Sequence, residues 1–260
     1  MYAQRLEAAV ELVRSVQGII QDESKRSECH VKGEFDFATR VDIEVERCIR
    51  EGLKARFPDD QFLGEEEDDH PDFSAPVWIL DPIDGTTNLI HRFPQYSVSL
   101  ALAVDGDVEL GVVYNPVLDH MFTARRGHGA FLNGAPIRAS RVGALHEGIV
   151  RIGTAPYTRE HAVEDFRVLE EIFVHCQDIR RCGSAALEIA YVACGWSEAY
   201  YERVLKPWDY AAAKVLLEEA GGKLTDFRGA PLPVGSPTSL LASNGLVHEE
   251  MLSYLRKLPM

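Results

Sequence analysis

Near the start of the chain apolar residues return every three or four positions. Leu6, Ala9, Val10, Val13, Val16 and Ile20 share one face, and Glu7, Glu11 and Arg14 lie on the other. This spacing predicts an amphipathic helix over residues 3 to 21, and Val41, Val45, Cys48, Ile49 and Leu53 predict a second over about 40 to 56. Thr39 could cap the second helix, flanked by Asp36 and Asp42. Val77-Trp78-Ile79-Leu80 is a short apolar run between Pro76 and Asp81, the pattern of a buried strand that ends at an acid. From Tyr96 the period becomes two: Tyr96, Val98, Leu100, Leu102 and Val104 alternate with Ser97, Ser99, Ala101 and Ala103. Further strands are expected over 108 to 114 and 121 to 124, and Asn133-Gly134 is a strong hairpin signal. The middle of the chain therefore reads as an antiparallel sheet.

After about residue 145 the pattern mixes. A helix carrying Val163, Phe166, Leu169 and Phe173 comes first, then one that runs from Ser184, a candidate cap, through Ala190 and Cys194. A strand over 197 to 202 leads to a helix opened by Pro207 and stopped by Gly221-Gly222, and a last helix spans about 247 to 257. With no repeat, linker or low-complexity stretch, we expect one folding unit over residues 1 to 260. Its class is α+β, with two packed lobes: roughly 1 to 145, α+β, and 146 to 260, α/β.

Composition changes this little. At 260 residues, 46% hydrophobic and 26% charged, the chain is an ordinary globular one, which excludes disorder and fibre. Charge matters more: 27 Lys plus Arg against 41 Asp plus Glu leave a net −14, which disfavours generic nucleic-acid binding. An anionic small molecule would need a local positive source here, and a metal would supply one. The five cysteines form no C-x-x-C pair and read as buried small hydrophobes in a reducing compartment. The first twenty residues carry charges throughout, so neither a signal peptide nor a membrane span is expected, and the cytoplasm is the default location.

Three segments could carry chemistry. Gly64-Glu65-Glu66-Glu67-Asp68-Asp69 follows the apolar Phe62-Leu63, and on composition alone is a solvated acidic loop. In Asp81-Pro82-Ile83-Asp84-Gly85-Thr86-Thr87-Asn88 a strand runs into two carboxylates three apart, a glycine and two hydroxyl residues suited to opening a helix. Asp81 and Asp84 can converge on a hard cation while Gly85 lets backbone N–H groups approach an anion. A helix opening at Thr86 or Thr87 would aim its positive end at a phosphate. An ordinary Asp/Gly turn with a Thr cap fits equally well. Lys206-Pro207-Trp208-Asp209 places an acid in the first turn of an Ala-rich helix, where it could simply complement the dipole. Taken together, Glu65, Asp81, Asp84 and Asp209, with no His or Cys at ligand spacing, fit an all-oxygen Mg2+ site better than a Zn2+ site.

The order and intervals of these motifs resemble the inositol monophosphatase family of Mg2+-dependent, lithium-sensitive phosphatases. The resemblance rests on Gly64-Glu65-Glu66, WILDPIDGTTN at 78 to 88, HRFP at 91 to 94, GVVYNP at 111 to 116, and WDYAA followed by EAGG at 208 to 222. It implies an α-β-α-β-α layered sandwich of the inositol monophosphatase and fructose-1,6-bisphosphatase type, and typically a homodimer. It further implies that Glu65, Asp81 and the carbonyl of Ile83 hold one Mg2+ and Asp81, Asp84 and Asp209 a second, with a third, weaker ion near Glu65. Thr86, backed by Asp42 and aided by Glu65, would orient the attacking water, and the amides of Gly85 and Thr86 would hold phosphate oxygens. Two cations roughly 3.5 to 4 Å apart would stabilise an in-line displacement with no phosphoenzyme.

Gly183-Ser184-Ala185 matches the segment that contacts the sugar or inositol ring, Glu202 the acid that accepts bonds from ring hydroxyls, and Asp84 is shared with the substrate. The resemblance also implies that Glu66 would support the ligands, as would Lys32, which matches a family lysine near the site although its spacing to Asp36 is one residue shorter than the family pattern. Relatives cleave inositol, fructose, nucleotide or histidinol phosphates on one metal core. Thr87-Asn88 resembles the inositol type, so a small phosphorylated polyol, inositol 1-phosphate first, is the expected substrate. Fructose 1,6-bisphosphate and histidinol phosphate are alternatives. Some bacterial members also act as transcription accessories, a second class of function.

Overall fold

The computed structural model describes residues 2–26, 28–33, 36–67 and 69–259, with the side chains of Val31, Lys32 and Asp36 outside that description. The first expected helix forms but breaks once, into α1 (Tyr2–Ser15) and α2 (Gln17–Gln21), which meet at the buried Val16. A single turn, α3 (Glu23–Arg26), and a hairpin of β1 (Cys29–Gly33) and β2 (Asp36–Thr39) lead into α4 (Arg40–Arg56), whose bounds match the pattern. The start of α4 is set by a capping box: Thr39 Oγ1 accepts from Val41 N, and Asp42 Oδ2 accepts the Thr39 N–H at 2.8 Å.

The chain continues through β3 (Gln61–Gly64), β4 (Val77–Asp84), α5 (Thr86–Ile90), β5 (Ser97–Val104), β6 (Asp107–Asn115), β7 (His120–Arg125), β8 (Ala130–Leu132) and β9 (Ala135–Pro136). The described strands β3 to β9 form one seven-stranded sheet in sequence order, with only β3 and β4 parallel. Asn133 and Gly134 turn the β8–β9 hairpin with φ of 49° and 80°, as a type I′ turn requires. The second half comprises β10 (Ile149–Ile152), α6 (Ala162–His175), β11 (Asp178–Arg180), α7 (Ala185–Ala193), β12 (Ala199–Leu205), α8 (Pro207–Glu219), β13 (Lys223–Thr225), β14 (Thr238–Ser243) and α9 (His248–Leu255). Its strands make a sheet in the order β11-β10-β12-β14-β13.

Three apolar layers bind these parts into an α-β-α-β-α sandwich. Trp78, Leu80, Val98, Leu100 and Leu102 pack on α1 and α4, while Val77, Ile79, Ala101 and Ala103 face the middle layer of α7 and α8. The alternation along β5 thus separates large from small, not buried from exposed. Small residues are needed there because α8 lies very close: a Cβ added at Gly111 would fall 2.3 Å from the Ala212 carbonyl oxygen. The third layer sets α6 and α9 on the outer face of the five-stranded sheet through Val168, Ile172, Tyr201, Leu241, Met251 and Leu255. Each large buried aliphatic side chain contributes about 1.5–3 kcal/mol relative to exposure.

Two expectations are corrected. Two apolar stripes run along α6, and the sheet takes Val168 and Ile172, leaving Val163, Phe166 and Phe173 at 60%, 60% and 57% exposure. Of the five cysteines only Cys182 is buried; Cys29 is exposed and the others are half-buried, all of them free.

Candidate active site

The two acids of the DPID segment lie three residues apart, a spacing that on a regular strand points side chains to opposite faces. A register shift between Asp81 and Asp84 removes the conflict: Asp81 pairs with Ser99 and Asp84 with Ser97, so four residues of β4 oppose three of β5. Pro82, which has no N–H to offer a ladder, falls inside this bulge. Asp209 arrives from the N-terminus of α8, where Pro207 occupies the first turn and Asp209 Oδ2 accepts the Lys206 N–H at 2.6 Å. It therefore complements the helix end, as the sequence allowed, and reaches the cluster as well. One ligand atom from each of Asp81, Asp84 and Asp209 lies within 4.8 Å of the others.

Burial raises the proton affinity of all three. Asp81 is held well above the usual carboxylate range by burial and then by the charges of Glu65, Asp84 and Asp209. Asp209 is raised in the same way by burial, Asp84 and Glu65. Asp84 is pushed up to about 7 by burial, against three hydrogen bonds that favour its charged form. Those bonds come from the other sheet's side of the molecule: Ser184 Oγ donates to Oδ2 at 2.6 Å, Ala186 N to Oδ2 at 2.7 Å and Ala185 N to Oδ1 at 3.2 Å. A buried cluster of like charges is unfavourable by itself, and its hard oxygen donors suit a divalent cation such as Mg2+. The residues present fit that group.

Glu65 lines the same cleft from the turn after β3 and lies against Asp81. Glu66 is tied through its amide to Glu46 Oε2 at 3.1 Å. Thr86 opens α5, and its hydroxyl lies 2.8 Å from Asp42 Oδ1 and 3.0 Å from the carbonyl oxygen of Ile83. Asp42, buried and also bonded by Thr39, has its proton affinity raised by burial. Gly85 caps α5 at φ 97°, where a side chain would be strained and its Cβ would meet the Gly183 carbonyl at 3.1 Å.

The cleft has a volume of about 590 Å³. Its far wall carries Gly183, Ser184, Ala185 and Glu202. Glu202 is not an exposed strand-end acid: it accepts from Ala155 N at 2.8 Å and Tyr200 OH at 2.5 Å, and burial raises its proton affinity. Ser184 corrects one expectation. It stands at the N-cap of α7 without capping it, and its buried hydroxyl donates to Asp84 instead. The Lys32 side chain lies outside the described residues.

Sequence reasoning missed Glu188 and the tethering role of Asn88. Asn88 Nδ2 reaches the carbonyls of Gln95 and Cys182, at 2.5 and 2.7 Å, and so ties the DGTTN segment to the 182–184 loop. Glu188 receives the Cys182 N–H and pairs with Arg151 at 2.6 Å, and Arg181 lines the cleft. The Asn at the end of DGTTN was the one available signal; Glu188 is legible only once α7 meets β10.

The model of the inositol monophosphatase family matches residues 1–260. The chain belongs to the inositol monophosphatase family. It is 38% identical over 232 residues to "Nus factor SuhB" of Escherichia coli K12, covering 88% of this chain and 86% of that protein. It is 35% identical over 256 residues to an inositol monophosphatase of Dictyostelium discoideum, covering 95% and 93%. Among solved structures, an IMPase of Thermotoga maritima superimposes with a TM-score of 0.90 at 34% identity, covering 98% of this chain and 97% of that one. Membership of the inositol monophosphatase family agrees with the layered sandwich and with the acidic cluster at its centre. No described helix is long and apolar enough to cross a membrane.

Proposed function

We propose that this member of the family hydrolyses a small phosphorylated polyol, inositol 1-phosphate first, with Mg2+ at Glu65, Asp81, Asp84, Asp209 and the Ile83 carbonyl. The observation that carries this reading is the convergence of Asp81, Asp84 and Asp209 within 4.8 Å, beside the Thr86–Asp42 hydrogen bond. Two or three bound ions would neutralise the substrate's charge and stabilise the attacking and leaving oxygens. The protein's own part is positioning. With its proton directed to Asp42, Thr86 Oγ1 keeps lone pairs toward the cleft and accepts a hydrogen bond from a water, aligning it for direct attack on phosphorus. The Gly85 and Thr86 amides hold phosphate oxygens. Glu202 keeps free acceptor capacity on both oxygens for ring hydroxyls, since each receives one protein donor. We propose the whole chain, residues 1 to 260, as one catalytic unit in the cytoplasm, and a homodimer whose contact includes the exposed Phe93, Val117, Leu118 and Trp196.

Phosphate release with Mg2+, with and without millimolar Li+, tests this across inositol 1-phosphate, fructose 1,6-bisphosphate and histidinol phosphate. A lithium-sensitive preference for inositol 1-phosphate is expected; activity on none would defeat the reading. A second reading, a transcription accessory role, is favoured by the 38% identity to a relative named Nus factor. Equal capture of purified transcription factors by the wild type and by inactive Asp209→Asn would support it.

A further inference from the structure

The turn that carries Glu65 leaves the sheet at its edge. Among the described residues β3 pairs only with β4, and the ladder ends at Gly64. There the amides on either side of Glu65 are held by side chains. The two amides that bracket Glu65 each meet an acid: Gly64 N donates to Asp69 Oδ2 at 3.0 Å, and Glu66 N donates to Glu46 Oε2 at 3.1 Å.

One guanidinium joins those two acids. Arg50 Nη1 and Nη2 reach Asp69 Oδ1 and Oδ2 at 3.1 and 2.6 Å, and Nη2 also reaches Glu46 Oε1 at 3.0 Å. The same group lies 5.0 Å from the centre of the Phe62 ring and 3.9 Å from Glu67 Oε2. Glu46 is 2% exposed and pressed against the turn: a Cβ on Gly64 would sit 2.4 Å from its Oε1. A carboxylate that deeply buried needs a cation beside it, and Asp69 would repel it if Arg50 were gone. Removing Arg50 therefore loosens both amides at once.

We infer that Arg50 is a positioning residue that, through Glu46 and Asp69, holds the Gly64–Glu66 turn and so keeps Glu65 in register with Asp81. The inference rests on the metal site proposed above. Arg50 touches neither substrate nor ligand atoms; it acts through two hydrogen-bonded acids. The fork geometry matters, because a lysine ammonium is a compact point charge without the planar, bidentate fit that Arg50 makes to Asp69 while it also reaches Glu46.

The test is calorimetric titration of the metal-stripped full-length protein with MgCl2, for wild type, Arg50→Ala, Arg50→Lys and Asp69→Ala. Arg56→Ala serves as the control, since Arg56 lies on the same helix as Arg50 and its loss removes an exposed pair with Glu11 of α1. Arg50→Ala and Asp69→Ala are expected to weaken Mg2+ binding by about 10–100-fold, the usual consequence of losing a supporting partner of a metal ligand. Arg50→Lys should fall between them and wild type, and kcat at saturating Mg2+ should largely recover. A folded Arg50→Ala that binds Mg2+ like wild type overturns the inference and leaves the metal site standing. If Arg50→Ala does not fold, Asp69→Ala decides by the same criterion. A wild type that binds no Mg2+ overturns the metal site, and this inference with it.

Discussion

Asp84 and Glu65 face one cleft and are held in opposite ways. Asp84 ends an interior strand, is buried, and takes three hydrogen bonds from the start of α7, across the middle layer. Glu65 sits on a turn beyond an edge strand, and the amides on either side of it depend on side chains alone. One carboxylate is thus placed by the same contacts that join the two sheets, the other by a clip. Damage to the first threatens the fold, whereas damage to the second weakens the site and leaves the fold standing.

The largest effect should follow from removing the acid common to both sides. Asp81→Asn is expected to abolish phosphate release while circular dichroism and the thermal midpoint stay near wild type; near-normal turnover at saturating Mg2+ would break the site assignment. Thr86→Ala should reduce kcat by about 10²–10⁴-fold, the usual worth of a group that positions or relays a proton. Calorimetry should find its Mg2+ affinity nearly unchanged, because no proposed ligand is lost.

A smaller effect separates the two sides more directly. Ser184→Ala takes a buried donor from Asp84 and should cost about 1–3 kcal/mol of stability, seen in denaturant melts, whereas Asp69→Ala should leave stability close to wild type. Equal losses would erase the contrast between core-held and clip-held acids.

The smallest effect is one of pH. Burial raises Asp84 from 3.8 to about 7, and Asp81 and Asp209 also lie above their ordinary range. In the metal-free protein these acids keep protons that the unfolded chain has released, so stability should fall as pH rises from about 4 toward 7. If Mg2+ binds at these acids it has to displace those protons, so its thermal stabilisation should be greater at pH 8 than at pH 5.5. Thermal melts with and without MgCl2 at the two pH values would show it; equal shifts would contradict it.

The acids of the cluster were legible because each stands where a strand ends or a helix begins, and α4 was legible because Thr39 and Asp42 are local signals. What escaped was long-range. The bulge at Pro82 depends on pairing with β5, and the duty of Ser184 depends on an acid 100 residues away. The clip joins Arg50 to Asp69 across a loop that reads simply as solvated charge. On α6 the sequence offered two apolar stripes, and only the face of the second sheet could choose between them.

Gly111 lies on β6 against the middle of α8, while Asp209 sits at that helix's N-terminus. A single methyl there would act as a shim, prising the helix from the sheet. Asp209 would then be drawn back from Asp81 and Asp84, which ride on the same sheet. A residue with no side chain thereby works as a gauge block, and the width of the acidic cluster is set at a place no substrate can touch.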